Sequence, residues 1–416
     1  MSELARTLLT LAAATALAAC ASPGSLTAPV EGVLDARTGR TVSFEDMIED
    51  LATVPMVFVG ESHTNPEHHE IQRRIIEALS GRNPGVLVGM EMLQRPYQPV
   101  LDRWSAGEMD ERTFLREAAW YDLWSDWNLY APILRLAKER RLRVVGLNVD
   151  RGIIRGINMK GLAGIDDGLR AQIPADIDTT VKAHEKAIRE IFGNHPGVES
   201  AEARFRRFYE AQCTWDDTMA ESAVLALGDA PKGSAIVVLA GSMHVMNFYA
   251  IPERARKRNG LAYRVVLPMD RDGISAEDPL KTGMGRPADF VIFTGPTPQT
   301  QGPKIGIALR GGDAFAKEVV PGGAAAEAGM QAEDVLLSID GKPVADLVDL
   351  KVILEGFSVG SKVRLKWRRG DVEMEGSGTL KAPPAMAMPA AMPPKDATPA
   401  DAKPAEPKPA EEAPKK

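Results

Sequence analysis

Two apolar runs in this 416-residue chain end in the same four-residue pattern, and any fold it adopts must accommodate both. Residues 56–59 lead into Gly60-Glu61-Ser62-His63, and residues 236–240 lead into Gly241-Ser242-Met243-His244. A continuous run of Val, Ile and Leu is the pattern of a parallel strand buried on both faces. A glycine just behind it lets the chain turn sharply, so that the next side chains project over the strand's carboxyl end. That edge is where open α/β sheets bind ligands. Two imidazoles delivered there by separate strands point to a metal, a cofactor or an acid–base centre rather than to packing.

Further strand-like runs lie at 85–90, 142–147 and 263–267, the last expected at a sheet edge, with helical patterns between them. Such alternation predicts an α/β fold, a mainly parallel sheet flanked by helices. Segments 94–141 and 166–228 carry helical periodicity without strand patterning, which predicts a helical cap insertion over the sheet's carboxyl edge. In order, the strands deliver Glu61 and His63, then Glu91, then Asn148 and Asp150, then His244. This oxygen and nitrogen set suits a divalent metal. It equally suits acid–base catalysis, with Glu61 or Glu91 as base and His63 or His244 as acid. Asn65 and Pro66 read as an N-cap and first helical residue. On that helix His68 shares the apolar stripe of Ile71, Ile75 and Leu79, as a core histidine would, whereas His69 is free to face the sheet edge. The chain has no Gly-x-Ser-x-Gly elbow, no Gly-x-Gly-x-x-Gly or other glycine-rich phosphate loop and no His-Glu-x-x-His, which argues against serine hydrolases of that type, nucleotide-dependent dehydrogenases, P-loop enzymes and ordinary zinc proteases.

Acidic residues outnumber basic ones, 57 to 50, giving a net charge of −7 that argues against a general nucleic-acid binder. Residues 1–20 read as a signal peptide: Arg6 precedes a short apolar stretch ending in Leu17-Ala18-Ala19-Cys20, which resembles a bacterial lipobox. Cys20 is then the lipidated residue. With Ala21 and Ser22 behind it, an outer-membrane lipoprotein facing the periplasm is expected. The other cysteine, Cys213, lies in a helical pattern, so no intramolecular disulfide forms once Cys20 is lipidated. Residues 21–41 read as a tether, 42–268 as the α/β domain, 269–303 as a Gly/Pro/Thr-rich linker and 304–381 as a small β-rich module with one helix. Residues 382–416, rich in Ala, Pro, Lys and Glu, bury too little apolar surface to order themselves.

Gly60-Glu61-Ser62-His63, Asn65-Pro66-Glu67-His68-His69 with Gln72, Gly89-Met90-Glu91-Met92, Gln212 with Trp215-Asp216, and Gly241-Ser242-Met243-His244 through Ile251-Pro252-Glu253-Arg254 together resemble the ChaN-type lipoproteins, a branch of the group that holds Tiki proteases and erythromycin-esterase-like enzymes. Thr64 stands where relatives often carry Asp. The resemblance implies a haem-binding protein of iron acquisition, with haem as cofactor and a homodimer as one possible state. Its haem ligand is expected to be a tyrosine. Tyr121, Tyr130 and Tyr209 are the candidates, and Tyr209, on a helix face with Gln212 and Asp216, joins His69 and Asp216 as the haem-binding set. Tyr130 is expected to pack with neighbouring indoles. Residues 304–381 resemble an HtrA-like PDZ domain, with Ile305-Gly306-Ile307-Ala308 as the loop that holds a peptide's terminal carboxylate. Glu333 stands there in place of the Gly usually found before Asp334. Two other readings stay open. One is a metal-dependent hydrolase using Glu61, His63, Glu91 and His244; the other is a peptide-recruitment scaffold with a degenerate first domain.

Overall fold

The computed structural model describes residues 32–192, 201–271, 286–295, 302–309 and 313–382. The expected signal segment with Cys20, much of the 269–303 segment and the tail beyond Ala382 lie outside them.

The large sheet comprises β1 (Val33–Asp35), β2 (Arg40–Val42), β3 (Met56–Glu61), β4 (Val86–Gln94), β5 (Val144–Asn148), β6 (Ala235–Gly241), β7 (Tyr263–Asp270) and β8 (Phe290–Thr294). Its order is β2-β1-β8-β7-β3-β6-β4-β5. Neighbours from β8 through β5 are parallel, and β1 and β2 add an antiparallel hairpin at one edge. Three expectations are corrected here. The 263–267 strand is interior, because β8 pairs with it in parallel from Val266↔Phe290 to Asp270↔Thr294. Strand β8 comes from the segment read as linker, where a short apolar run hides among turn-forming residues. The β1–β2 hairpin likewise comes from the segment read as tether, its strands being too short to show a period.

Side chains of β3 alternate between two cores, as the two-residue period of a strand requires. Val57 and Val59 pack with α1 (Phe44–Leu51), α2 (Pro66–Arg82), α3 (Gln98–Ser105), α4 (Glu111–Glu117), α5 (Trp120–Leu123) and α6 (Trp127–Glu139). Met56 and Phe58 face the other core. After α7 (Arg151–Lys160), α8 (Asp167–Arg170) and α9 (Lys182–Phe192), that core is closed by α10 (Ala201–Gly228), α11 (Ser242–Val245) and α12 (Ile251–Asn259). Helices α6 and α10 therefore flank the sheet, while Trp124, just after α5, and α7 reach its carboxyl rim.

The C-terminal module has β9 (Ile307–Leu309) paired with β10 (Ala316–Val319), then α13 (Ala324–Ala328), β11 (Val335–Ile339), β12 (Lys342–Pro343), α14 (Leu347–Leu354), β13 (Lys362–Arg369) and β14 (Val372–Thr379). Its second sheet runs β12-β11-β13-β14, and a Lys304↔Lys381 bridge joins the module's ends. Helix α14 is apolar on two faces. Leu350, Ile353 and Leu354 enter the module's own core, while Val348 joins the core of the first domain. Arg112 and Arg116 clamp that contact from α4, donating to Asp349 at 2.6 and 2.7 Å and, from Arg116, to Asp346 at 2.6 Å.

Candidate functional site

Strand order builds the site. Because β6 enters between β3 and β4, three adjacent strands bring Glu61, Gly241 and Glu91 together at one rim. Neither motif glycine adopts a left-handed φ; what the fold requires is a missing side chain. A Cβ on Gly60 would lie 2.7 Å from Leu267 and 3.0 Å from Val245, and one on Gly241 would lie 2.9 Å from the His63 ring. The glycine of the second motif thus makes room for the histidine of the first. The two motifs form a single interlocked unit.

Each histidine is tethered through Nδ1 to a buried carboxylate. His63 Nδ1 lies 2.7 Å from Glu61 Oε1, and that carboxylate also accepts from Tyr130 (2.6 Å) and from Gln72 (2.8 Å). His244 Nδ1 lies 2.6 Å from Asp216 Oδ1 on α10, and His184 stands behind it, 3.4 Å from Asp216 Oδ2. Glu91 accepts the Gly241 N–H at 2.7 Å and presents its other oxygen 3.6 Å from His244 Nε2. Burial favours the neutral form of each group, but the opposite charges prevail. His69 and His63 hold Glu61 down at about 2. Glu91 and Asp216 lift His244 to about 9, and Glu61 raises His63 above its ordinary value.

These groups open onto a cavity of about 950 Å³. Trp124, Trp215, Ile154, Met159 and Met243 give it apolar walls, and Arg151 and Arg155 of α7 supply cationic ones. The edge of the Trp124 ring system meets His63, with centroids 5.0 Å apart. A tethered, half-exposed imidazole would suit metal ligation or proton transfer, since its Nδ1 partner fixes the tautomer and turns Nε2 to the cavity.

Of the residues expected at a metal or acid–base site, Glu61, His63, Glu91, Asn148 and His244 line this cavity. Asp150 does not; it caps α7, accepting the Gly152 N–H at 2.6 Å. Asn148 is committed to backbone, donating to the Glu91 carbonyl at 3.0 Å and accepting from Val149 at 2.8 Å. Among the described residues no group of three or more His, Cys, Asp or Glu is arranged to hold a metal ion. The physical reason is that the carboxylates and imidazoles saturate one another in pairs.

The expected haem set is redistributed too. Tyr209 does not line the cavity: it stacks on Phe205 and donates to the Val181 carbonyl at 3.1 Å. Burial also pushes its phenol far above the ordinary value, away from a phenolate. His69 lies beneath Glu61, with Nε2 3.1 Å from the His63 carbonyl, and Asp216 lies behind His244. Both are positioning residues. Tyr130 packs with Trp120 and Trp124 as expected, and its hydroxyl also holds Glu61. Tyr121 reaches away to Glu355 of α14. His68 is the satisfied core residue anticipated, accepting from the Ser62 N–H at 2.8 Å and contacting Thr294 at 3.1 Å; burial pulls it down to about 4. Burial likewise pushes the Cys213 thiol up to about 12. Sequence reasoning missed Arg151, Arg155, Trp124 and Met243; the two arginines one helical turn apart behind β5 were the available signal.

In the C-terminal module Ile305, Gly306 and Ile307 line a groove of about 520 Å³ against α14, while Ala308 is exposed on β9. Gly306 is required twice over, by its φ of +83° and by the Gly323 backbone, 2.9 Å from where a Cβ would stand.

Comparison with known proteins agrees with this division. A family model described as haem-binding uptake, Tiki superfamily, ChaN matches residues 47–255, and a PDZ model matches residues 315–369. The magnetosome formation protease MamE of Paramagnetospirillum magneticum is 33% identical over 142 residues, covering 33% of this chain and 19% of that protein. The chain thus spans about a fifth of that curated relative. Among solved structures, Campylobacter jejuni ChaN with cofacially bound haem is 23% identical, with a TM-score of 0.49 over 62% of this chain and 95% of that one. The HtrA3 PDZ domain bound to a phage-derived ligand is 21% identical, with a TM-score of 0.17 over 19% of this chain and 86% of that one. This chain belongs to the haem-binding-uptake ChaN family of the Tiki superfamily and carries a PDZ domain behind the ChaN fold.

Proposed function

We propose that the protein is a haem-binding lipoprotein of iron acquisition, anchored through Cys20 in the outer membrane and facing the periplasm, with its PDZ groove recruiting proteins by their C-termini. The observation that carries the haem reading is the cavity itself. Its volume of about 950 Å³, its two indoles and its paired arginines suit a flat apolar ring with two carboxylates. Bound haem supplies an iron with an open coordination position. His63 is the residue to meet it: its side chain is 44% exposed against 14% for His244, and Glu61 holds its Nδ1. Imidazolium at His244 and guanidinium at Arg151 and Arg155 then serve the propionates. Met159 and Met243, 70% and 38% exposed, leave apolar surface at the mouth, which favours a haem held between two copies.

Haemin titration of protein lacking residues 1–20, followed by absorption, tests the reading. A shifted Soret band is expected, retained in Tyr209→Phe and lost or moved in His63→Ala. Gly241→Ala, which forces a methyl group against the His63 ring, should weaken binding in the same direction. A haemin Soret band left unchanged by the protein ends the haem reading, and a spectrum indifferent to both His63→Ala and Gly241→Ala removes His63 as the ligand.

A further inference from the structure

The PDZ groove carries charge that the described residues leave only partly balanced. Its floor is apolar, from Ile305, Leu350 and Leu354, yet its rim holds Lys304, Lys351 and Lys381, and no carboxylate is among the described lining residues. Lys381 is answered by Glu327 at 2.9 Å. Lys351 is half-buried on α14, with its ammonium 5.9 Å from the centre of the Tyr121 ring of the first domain. Burial, and then the charge of Lys304, pull it below its ordinary value, while Asp126 and Glu355 act on it only through space. Glu355 itself accepts a hydrogen bond from Tyr121 at 3.1 Å. A half-buried ammonium beside a second one, with no carboxylate in contact among the described residues, is an unfavourable arrangement that an anionic ligand relieves.

The groove's geometry says where that anion belongs. A peptide added as a strand beside β9 turns alternate residues toward α14, so its last residue and the one two before it share the helix-facing side. These are about 6.5–7 Å apart along an extended chain. On α14, Leu354 and Lys351 are three residues apart, about 4.5 Å along the axis, and the lysine stem spans the remainder. With the terminal carboxylate at the Ile305–Gly306–Ile307 loop next to Lys304, and the last side chain on Leu350 and Leu354, Lys351 faces the position two residues upstream.

We propose that the groove selects protein C-termini with an apolar last residue and an Asp or Glu two residues before it, with Lys351 as the specificity-determining residue. This rests on the reading that the PDZ groove takes C-terminal peptides, and the test separates the two. The probes are fluorescein-labelled peptides ending Glu-Ser-Val and Gln-Ser-Val with free carboxylates, and the Glu-Ser-Val amide, titrated by anisotropy against the chain from residue 21 to residue 416. The Glu peptide should bind on the order of tenfold more tightly than the Gln peptide at low salt, and the amide should bind worst. In Lys351→Gln that preference should fall to within about twofold while the affinity for the Gln peptide holds, which also reports an intact groove; Lys351→Arg should retain it. If both free acids bind alike, or the preference survives in Lys351→Gln, the assignment of Lys351 is overturned. If neither free acid binds better than the amide, the peptide-binding reading fails and takes the inference with it.

Discussion

At the scale of residues, the two cavity histidines differ in the charge they hold. His244 sits between Glu91 and Asp216, and against the desolvating effect of burial these lift its pKa from 6.5 to about 9. A group whose folded pKa is raised stabilises the protein fully below its unfolded value and loses that contribution as pH climbs through the folded one. Stability should therefore fall between pH 6.5 and pH 9, by an amount on the order of 1–3 kcal/mol. Chemical denaturation across that range should give a shallower decline in Asp216→Asn, which keeps the shape and removes the charge. An equally steep decline would move the effect to another group. Glu61 behaves oppositely: held at about 2 rather than 4.5, it contributes above pH 4.5 and is lost toward pH 2. The paired glycines and histidines were legible in the sequence, and so was their convergence at one rim. The groups that hold them were legible only in part, because Asp216 and Tyr130 come from helices whose approach to the rim depends on packing across the whole sheet. Tyr209 illustrates the limit: helical spacing put it on a face with Asp216, yet two turns nearer the helix N-terminus, about 10 Å along the axis, that face meets a different neighbour.

At the scale of elements, long apolar strands declared themselves and short ones did not. The buried strand β3 lies within one or two residues of the reading, as does β6, because a run hidden on both faces has no polar interruptions. Strand β8 and the β1–β2 hairpin escaped notice since their order comes from neighbours, β7 above all, rather than from any local pattern. Strand β4 runs on to Gln94, past the expected end, and this carries Glu91 into the sheet rather than behind it. The substitution of Glu333 for glycine in the PDZ turn has a measurable consequence. Its φ is +74°, in the left-handed region that disfavours a residue with a Cβ by roughly 1–2 kcal/mol. Glu333→Gly should accordingly raise stability by up to about 1 kcal/mol, less than the full strain because glycine also loosens the unfolded chain. A calorimetric scan in which Glu333→Gly unfolds at a lower temperature would count against the strain argument.

At the scale of the whole molecule, α14 belongs to two structures at once. One face forms the wall of the peptide groove and the PDZ core, and the other meets α4, with Tyr121 of α5 bonded to Glu355 just past its end. The acidic residues Asp346 and Asp349 suit a helix N-terminus by themselves, and the guanidinium groups of Arg112 and Arg116 turn that local preference into a joint. Asp349 is the better shielded partner, with its side chain 8% exposed, whereas the arginines are 46% and 40% exposed, so solvent screens much of each pair. Removing both arginines should cost the joint about 1–2 kcal/mol, more than isolated surface pairs give because a nearly buried carboxylate loses its partners. Thermal unfolding should then resolve into two transitions in an Arg112→Ala/Arg116→Ala variant where the parent chain shows one, and protease should cut more readily between the two domains. Trp124, next to α5, is also the wall that meets His63, so the joint adjoins the His63–His244 cavity as well as the groove. If the variant still melted in a single step at the parent temperature, the apolar contact of Val348 and Val352 and the Tyr121–Glu355 hydrogen bond would suffice to hold the domains together, and the arginine clamp would be no more than decoration on that seam.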